Sequence, residues 1–195
     1  MLQRCKTFKF RGAFSKICTL PKGSKIASCS SGNHSQGCAL AAKICGINCV
    51  VYMPETAPEA KVAATKGYGA EVRQAGHTFD EAYKKCMEDL EKEKDLIFIS
   101  PSDDLDVIAG QGTIGLEIYE DLKEVQTVVI PVGGGGFVLG LPLLLKILCP
   151  IAELSQFVPL CFLILILNIR KKKEKKLILW LRLNQKVEKI LWLNA

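Results

Sequence analysis

Along its first 132 residues this chain alternates short apolar runs with stretches of helical spacing, and that alternation limits the folds open to it. SKIASCS reads as a strand and runs into GNHSQGCALAAKICG, a helix of small residues closing at Gly46, where a left-handed cap suits glycine. NCVVYMP is a buried-strand run stopped by Pro54. APEAKVAATKGYG is a helix with Pro58 near its start and Gly67 near its end. AEVRQAG alternates as a strand does. In HTFDEAYKKCMEDLEKEK, Phe79, Ala82, Tyr83 and Cys86 fall at i, i+3, i+4 and i+7, which predicts the core-facing stripe of a helix. LIFIS is a strand, LDVIAGQGTIGLEIYEDL is helical by spacing, and TVVIPV is a strand that runs into four glycines. Apolar strands separated by helices predict an α/β fold with a parallel sheet in three layers and right-handed crossovers.

The chain can bury a core, because 49% of its 195 residues are hydrophobic and only 24% are charged. Its net charge of +6 is unevenly held. Residues 1–153 carry 17 Lys and Arg against 18 Asp and Glu, whereas residues 154–195 carry 9 against 2. All 16 glycines lie at or before Gly140 and both tryptophans after it, so two compositions meet near residues 141–153. The glycine-containing part is close to neutral, which argues against a basic nucleic-acid-binding domain. The nine cysteines are scattered beside apolar residues with no CxxC pair, and MLQRCKTFKFRG holds no apolar leader. Both features predict a reduced, cytoplasmic setting without a disulfide scaffold, and Cys38, Cys45 and Cys49 read as core rather than metal ligands. His77 is expected to be exposed, just before a helix cap.

Three glycine-rich sites compete for a functional role. Gly110-Gln-Gly112-Thr-Ile-Gly115 is a formal GxGxxG, but no strand precedes it and the helical pattern continues through it. A dinucleotide site needs a strand before the glycines and a helix starting at them, so close helix packing is the better account. Gly133, Gly134, Gly135 and Gly136 directly follow a strand and precede an apolar helical run. There, converging backbone N–H groups and a helix N-terminus predict a phosphate cup. Ser30-Ser31-Gly32-Asn33-His34-Ser35-Gln36-Gly37 lies between strand and helix, with hydroxyls, an amide and helix-start N–H groups suited to a carboxylate and a ring oxygen. Near the start, Lys9 lies between Phe8 and Phe10, whose rings could desolvate it and make its amine a nucleophile.

Taken in order, TFKFRGA, SSGNHSQG, VVYMPETAPEAKVAATKGYGAEV, VIAGQGTIGLEI and VVIPVGGGG resemble the threonine/serine dehydratase and serine racemase family. These are fold-type-II pyridoxal-phosphate enzymes, whose three-layer fold is shared with the tryptophan synthase β chain. The resemblance implies that Lys9 forms a Schiff base with pyridoxal 5'-phosphate and that Phe8 packs on its ring. It also implies that Asn33 bonds the ring's 3-hydroxyl oxygen and that Gly133 to Gly136 hold the phosphate. Ser30, Ser31, Gly32, Asn33 and His34 would grip the substrate carboxylate. Thr7 stands where the family usually has serine. The implied activity is dehydration and deamination of L-threonine or L-serine to a 2-oxo acid and ammonia, with freed Lys9 taking the Cα proton. Ser31 also suits the second acid/base of a serine racemase, the alternative activity. The implied partners are a small amino-acid substrate and, given the full family fold, further copies of the chain, with neither nucleic acid nor membrane.

The resemblance covers residues 2–140, with an echo to Glu153. Family features expected before the lysine and after Glu153 are not found, so the fold reads as incomplete and an inactive fragment is a third reading. Residues 1–22 and 103–153 would be the remnant of the large cofactor domain, 23–102 a small α/β domain, and 154–195 a Leu/Lys-rich tail outside the family. Leu154–Ile169 is apolar, but its 16 residues fall short of the roughly 20 needed to span a membrane.

Overall fold

The computed structural model describes residues 3–122, 127–132, 134–148, 152–153, 163–169, 177–181 and 190–193. Its contacts divide the chain into two compact units, residues 1–111 and 112–195.

The first unit is the parallel sheet that the alternation predicts. Four strands, β1 (Lys25–Cys29), β2 (Asn48–Met53), β3 (Glu71–Gln74) and β4 (Leu96–Phe98), lie in the order β3-β2-β1-β4. Every pair is parallel, with Lys25–Cys29 in register against Asn48–Tyr52. The helices between and around them are α1 (Lys9–Ile17), α2 (Asn33–Cys45), α3 (Glu59–Gly67) and α4 (Phe79–Lys92). Side chains that alternate along a strand serve opposite faces. Ile26, Cys49, Val51 and Met53 pack with Ala13 and Ile17 of α1, Cys38 and Ala42 of α2 and Val62 of α3. Ala27, Cys29, Val50 and Tyr52 pack with Ala82 and Cys86 of α4. Both faces are covered, so the unit has three layers.

Local signals place the helix ends. Gly46 closes α2 in the left-handed region at φ 68°. Thr78 caps α4 by accepting from the Glu81 N–H, and Glu81 reaches back to the Thr78 N–H, while His77 before it is exposed. One expectation changes. Phe79 and Tyr83 are 47% and 40% exposed and stack on each other, and the buried face of α4 is Ala82, Cys86 and Asp89. Small residues there bring α4 close to the sheet, where the Tyr52 hydroxyl donates to Asp89 at 2.8 Å and accepts from Arg73 at 2.8 Å.

Helix α5 (Leu105–Asp121) contains the whole GQGTIG segment, and its glycines are contact points. A Cβ on Gly110 would lie 2.6 Å from the Arg11 carbonyl oxygen and 2.7 Å from Gly12 Cα, so glycine lets α5 meet α1 backbone to backbone. In the second unit, a Cβ on Gly112 would lie 2.8 Å from the Gly140 carbonyl oxygen and one on Gly115 3.0 Å from that of Leu141.

The second unit also contains β5 (Thr127–Val132), α6 (Gly136–Leu148), β6 (Ala152–Glu153), β7 (Leu163–Ile169), β8 (Leu177–Leu181) and β9 (Ile190–Leu193). Ile130, Leu141 and Leu145 form its described core. Here the pairing is antiparallel, with β5 against β7 from Thr127↔Asn168 to Val132↔Leu163, then β7-β8-β9. The links between β7, β8 and β9 are too short for crossover helices, which leaves antiparallel neighbours as the accessible arrangement. Among the described residues no helix is long and apolar enough to cross a membrane.

Candidate active site

Lys9 is the first residue of α1, and its backbone N–H donates to the Thr7 hydroxyl at 3.3 Å, so the threonine keeps the hydroxyl contact at the helix start. Its side chain is half-buried. The ammonium donates to the Pro101 carbonyl at 3.0 Å and lies 5.6 Å from the centre of the Phe8 ring. Phe10 pairs with Phe14, ring centres 5.4 Å apart and tilted by 32°, and it is Phe8 that stands over the amine. Burial pulls the Lys9 pKa below its ordinary value, an effect partly offset by neighbouring Cys38.

His34, in the first turn of α2, lies within electrostatic reach of this amine. A Cβ on Gly37 would lie 3.0 Å from the Phe10 nitrogen and 3.2 Å from the Lys9 carbonyl oxygen, so glycine sets the approach of α2 to the start of α1. Within the loop between β1 and α2, the Gly32 N–H donates to the Ser30 hydroxyl at 3.2 Å, and the Ser35 hydroxyl donates to the Gly32 carbonyl at 2.6 Å. Ser31 and Gly32 are half-buried. Asn33 is exposed, and its Oδ1 accepts from the Lys61 ammonium at 3.3 Å.

His34 is buried. Its Nε2 lies 3.3 Å from the Ile99 carbonyl, which also accepts from Ser28 at 3.1 Å, and 3.4 Å from Cys38 Sγ. A carbonyl only accepts, so Nε2 carries the proton and Nδ1 is a bare acceptor. That Nδ1 is buried without a partner in the structure. Burial, with a further push from Lys9, brings the His34 pKa down to about 4 despite the Ile99 bond, so the ring is neutral at pH 7. Burial pushes the Cys38 thiol well up, so it too is neutral.

The structure therefore brings Lys9, Phe8, His34 and the Ser30–Asn33 loop into one neighbourhood of the first unit. Gly134, Gly135 and Gly136 belong to the second unit, at the start of α6, with Gly135 at φ 94°. Gly133 lies outside the described residues. Sequence reasoning missed the carbonyls of Ile99 and Pro101, Cys38, and Lys61. Backbone acceptors leave no mark in side-chain identity. Cys38 had one available signal, its place one helical turn after His34. Among the described residues no cluster of His, Cys, Asp and Glu could hold a metal ion.

Comparison with known proteins gives a consistent result. Residues 1–154 match the family model of the pyridoxal-phosphate dependent enzymes. The chain is 51% identical over 148 residues to the catabolic L-threonine dehydratase of Staphylococcus aureus, covering 74% of this chain and 42% of that relative. Among solved structures it is similar to the processed form of threonine deaminase isoform 2 from Solanum lycopersicum, with TM-score 0.73 and 41% identity over 76% of this chain and 44% of that one. It is also similar to maize serine racemase, with TM-score 0.73 and 32% identity over 76% and 46% of the two chains. The chain spans less than half the length of these relatives.

Proposed function

This chain belongs to the family of pyridoxal-phosphate dependent enzymes, and on that premise we propose that it deaminates L-threonine or L-serine to a 2-oxo acid and ammonia. The observation that supports this most is the Lys9 amine, half-buried at the head of α1, less basic than an ordinary lysine and close enough to His34 to act on its charge. The residues present fit the cofactor. A desolvated amine suits attack on an aldehyde. Gly134 to Gly136, at a helix start that follows a strand, suit a phosphate.

When bound, pyridoxal phosphate supplies a carbonyl carbon for an amine and a ring that takes up electron density from Cα. In this reading Lys9 anchors the cofactor and, once freed, takes the Cα proton at Nζ, with the Pro101 carbonyl holding that nitrogen in place. Phe8 would pack on the ring, Asn33 would donate to the ring oxygen, and Gly133 to Gly136 would hold the phosphate. Ser30, Ser31, Gly32, Asn33 and His34 hold the substrate carboxylate through their N–H and hydroxyl groups. The Nδ1 of His34 does not share in that grip, because an unprotonated nitrogen cannot donate to a carboxylate. Residues 1–22 and 103–153 would be the remnant of the large cofactor domain and 23–102 a small α/β domain, in a cytoplasmic enzyme that assembles with copies of itself and needs neither nucleic acid nor membrane.

The test is 2-oxo acid release from L-threonine and L-serine by the 195-residue chain supplied with pyridoxal phosphate. Lys9→Ala is expected to lower the rate by at least about a thousandfold, as loss of a proton-transferring group does. Turnover that survives Lys9→Ala would overturn the reading. Accumulation of D-serine without pyruvate would favour a racemase, for which Ser31 is the candidate second acid/base. Cofactor bound through Lys9 with no turnover of either substrate would make the chain an inactive relative.

A further inference from the structure

One face of α3 grips the site loop at two points. Lys61 and Thr65, four residues apart, lie on the same side of that helix. The Lys61 ammonium donates to Asn33 Oδ1 at 3.3 Å. The buried Thr65 hydroxyl shares its proton between the Lys61 carbonyl at 2.8 Å and the Ser35 hydroxyl at 3.3 Å. Ser35 in turn donates to the Gly32 carbonyl at 2.6 Å. The loop's first helical turn is thus tied to α3 on both sides of His34.

The Lys61 contact does more than restrain the chain. An asparagine amide has an accepting oxygen and a donating NH2, and either end can be turned toward a neighbour. An ammonium only donates, so it selects the oxygen and leaves the NH2 as the end offered elsewhere. We propose that Lys61 is a positioning residue that fixes the Asn33 amide so that its NH2, and not its oxygen, is presented to the ring oxygen of pyridoxal phosphate. This rests on the functional reading above, in which Asn33 meets that oxygen. Thr65 is the second arm, holding the backbone from which Asn33 projects.

The proposal separates variants by the sign of the charge at position 61. In Lys61→Met the amide is free to turn. In Lys61→Glu the carboxylate accepts from the NH2 and turns the oxygen toward the cofactor. Lys61→Arg keeps a donor. The readouts are the dissociation constant of pyridoxal phosphate by equilibrium dialysis and the visible absorption maximum of the bound cofactor, which responds to hydrogen bonding at the ring. Lys61→Met should weaken binding about threefold to tenfold, the range of one hydrogen bond. Lys61→Glu should weaken it further and displace the absorption maximum, and Lys61→Arg should restore both. In an Asn33→Ala background all three should be equivalent, because Lys61 acts through Asn33.

Equal binding and spectra in Lys61→Met and the parent would overturn the proposal. So would an effect of Lys61→Glu that persists in the Asn33→Ala background, which would be long-range repulsion of the phosphate. Failure of Lys61→Arg to restore binding would also overturn it. If Lys61→Met does not fold by circular dichroism, Lys61→Leu, which likewise has no donor, replaces it under the same criteria. If the parent chain binds no cofactor through Lys9, it is the functional reading that fails.

Discussion

The two sheets of this protein are specified in different ways. In the first, β1, β2 and β4 carry two different faces to two different sets of helices, and each of their core residues has one place to go. Ile26 meets α1 and α2, while its neighbour Ala27 meets α4. A slip of one residue would exchange the two faces, setting Ile26 against α4 and turning Tyr52 away from Asp89. The second sheet is built around runs such as LILILNI, which read the same on either face. There the pattern carries little register information, and pairing follows connection length. Density of close backbone contacts can specify a unit as firmly as the apolar pattern does, and α5 tests this because it carries such contacts in each unit, at Gly110 in the first and at Gly112 and Gly115 in the second.

The largest effect should come from Gly110→Ala. Its Cβ would press on backbone atoms of α1, the Arg11 carbonyl oxygen at 2.6 Å and Gly12 Cα at 2.7 Å, and neither can swing aside as a side chain could. Separating α1 from α5 should cost about 3 kcal/mol or more. Gly112→Ala presses on the Gly140 carbonyl at 2.8 Å and should cost about 1–3 kcal/mol. Residue-resolved amide exchange is the measurement, because two units need not unfold together. Gly110→Ala should speed exchange in α1 and the parallel sheet, and Gly112→Ala in α6. Loss of protection in the same amides for both would show that the units are not separately specified.

Much of the first unit was legible. Gly46 predicted the end of α2, Pro54 the end of β2, and the alternation the parallel pairing, because each signal acts through its own backbone. The face of α4 was misread at Phe79 and Tyr83, since periodicity identifies a stripe but not which side of it sits closest to the sheet. Helix α1 was read as a chemical motif and not as a helix. Its Gly12 proves to be the seat of Gln111 and Val107 of α5. In the site, Lys9, Asn33 and His34 stood out by type. Their partners at Pro101, Ile99 and Lys61 did not, because two are carbonyls and the third is a lysine among many.

A second, somewhat smaller effect separates the units by pH. Burial holds His34 neutral with a pKa of about 4, against 6.5 for an exposed imidazole. Between those values the unfolded chain binds a proton that the folded chain does not. Stability is therefore undiminished above pH 6.5, falls as the pH drops from 6.5 to 4, and loses nothing further to this group below that. The full loss is about 3 kcal/mol. Among the described residues every resolved shift lies in the first unit, so the loss should appear in its amides and be muted in α6. His34→Gln, which does not titrate, should flatten the profile in that window. An unchanged slope in His34→Gln would mean that the imidazole is not held neutral by burial.

The smallest effect is expected at the exposed Leu139 and Leu143 of α6, where the comparison is sharpest within a single helix. Leu141 and Leu145 are buried against Ile130, whereas Leu139 and Leu143, two residues away in each case, are 54% and 59% exposed. The apolar pattern alone does not separate these four leucines, because the run GFVLGLPLLLKIL is apolar at every position but Lys146. Leu145→Ala should cost about 2–5 kcal/mol by leaving a cavity. Leu143→Lys and Leu139→Lys should each change stability by no more than about 0.5 kcal/mol, since a half-exposed lysine keeps its stem on the helix and its charge in water. Thermal unfolding followed by amide exchange in α6 would measure both. If Leu143→Lys costs as much as Leu145→Ala, that face is covered in solution and the unit is specified by more than its own residues. If it costs little, the packing of α5 on α6 through Gly112 and Gly115 is sufficient to orient a helix whose sequence leaves its inner face undefined.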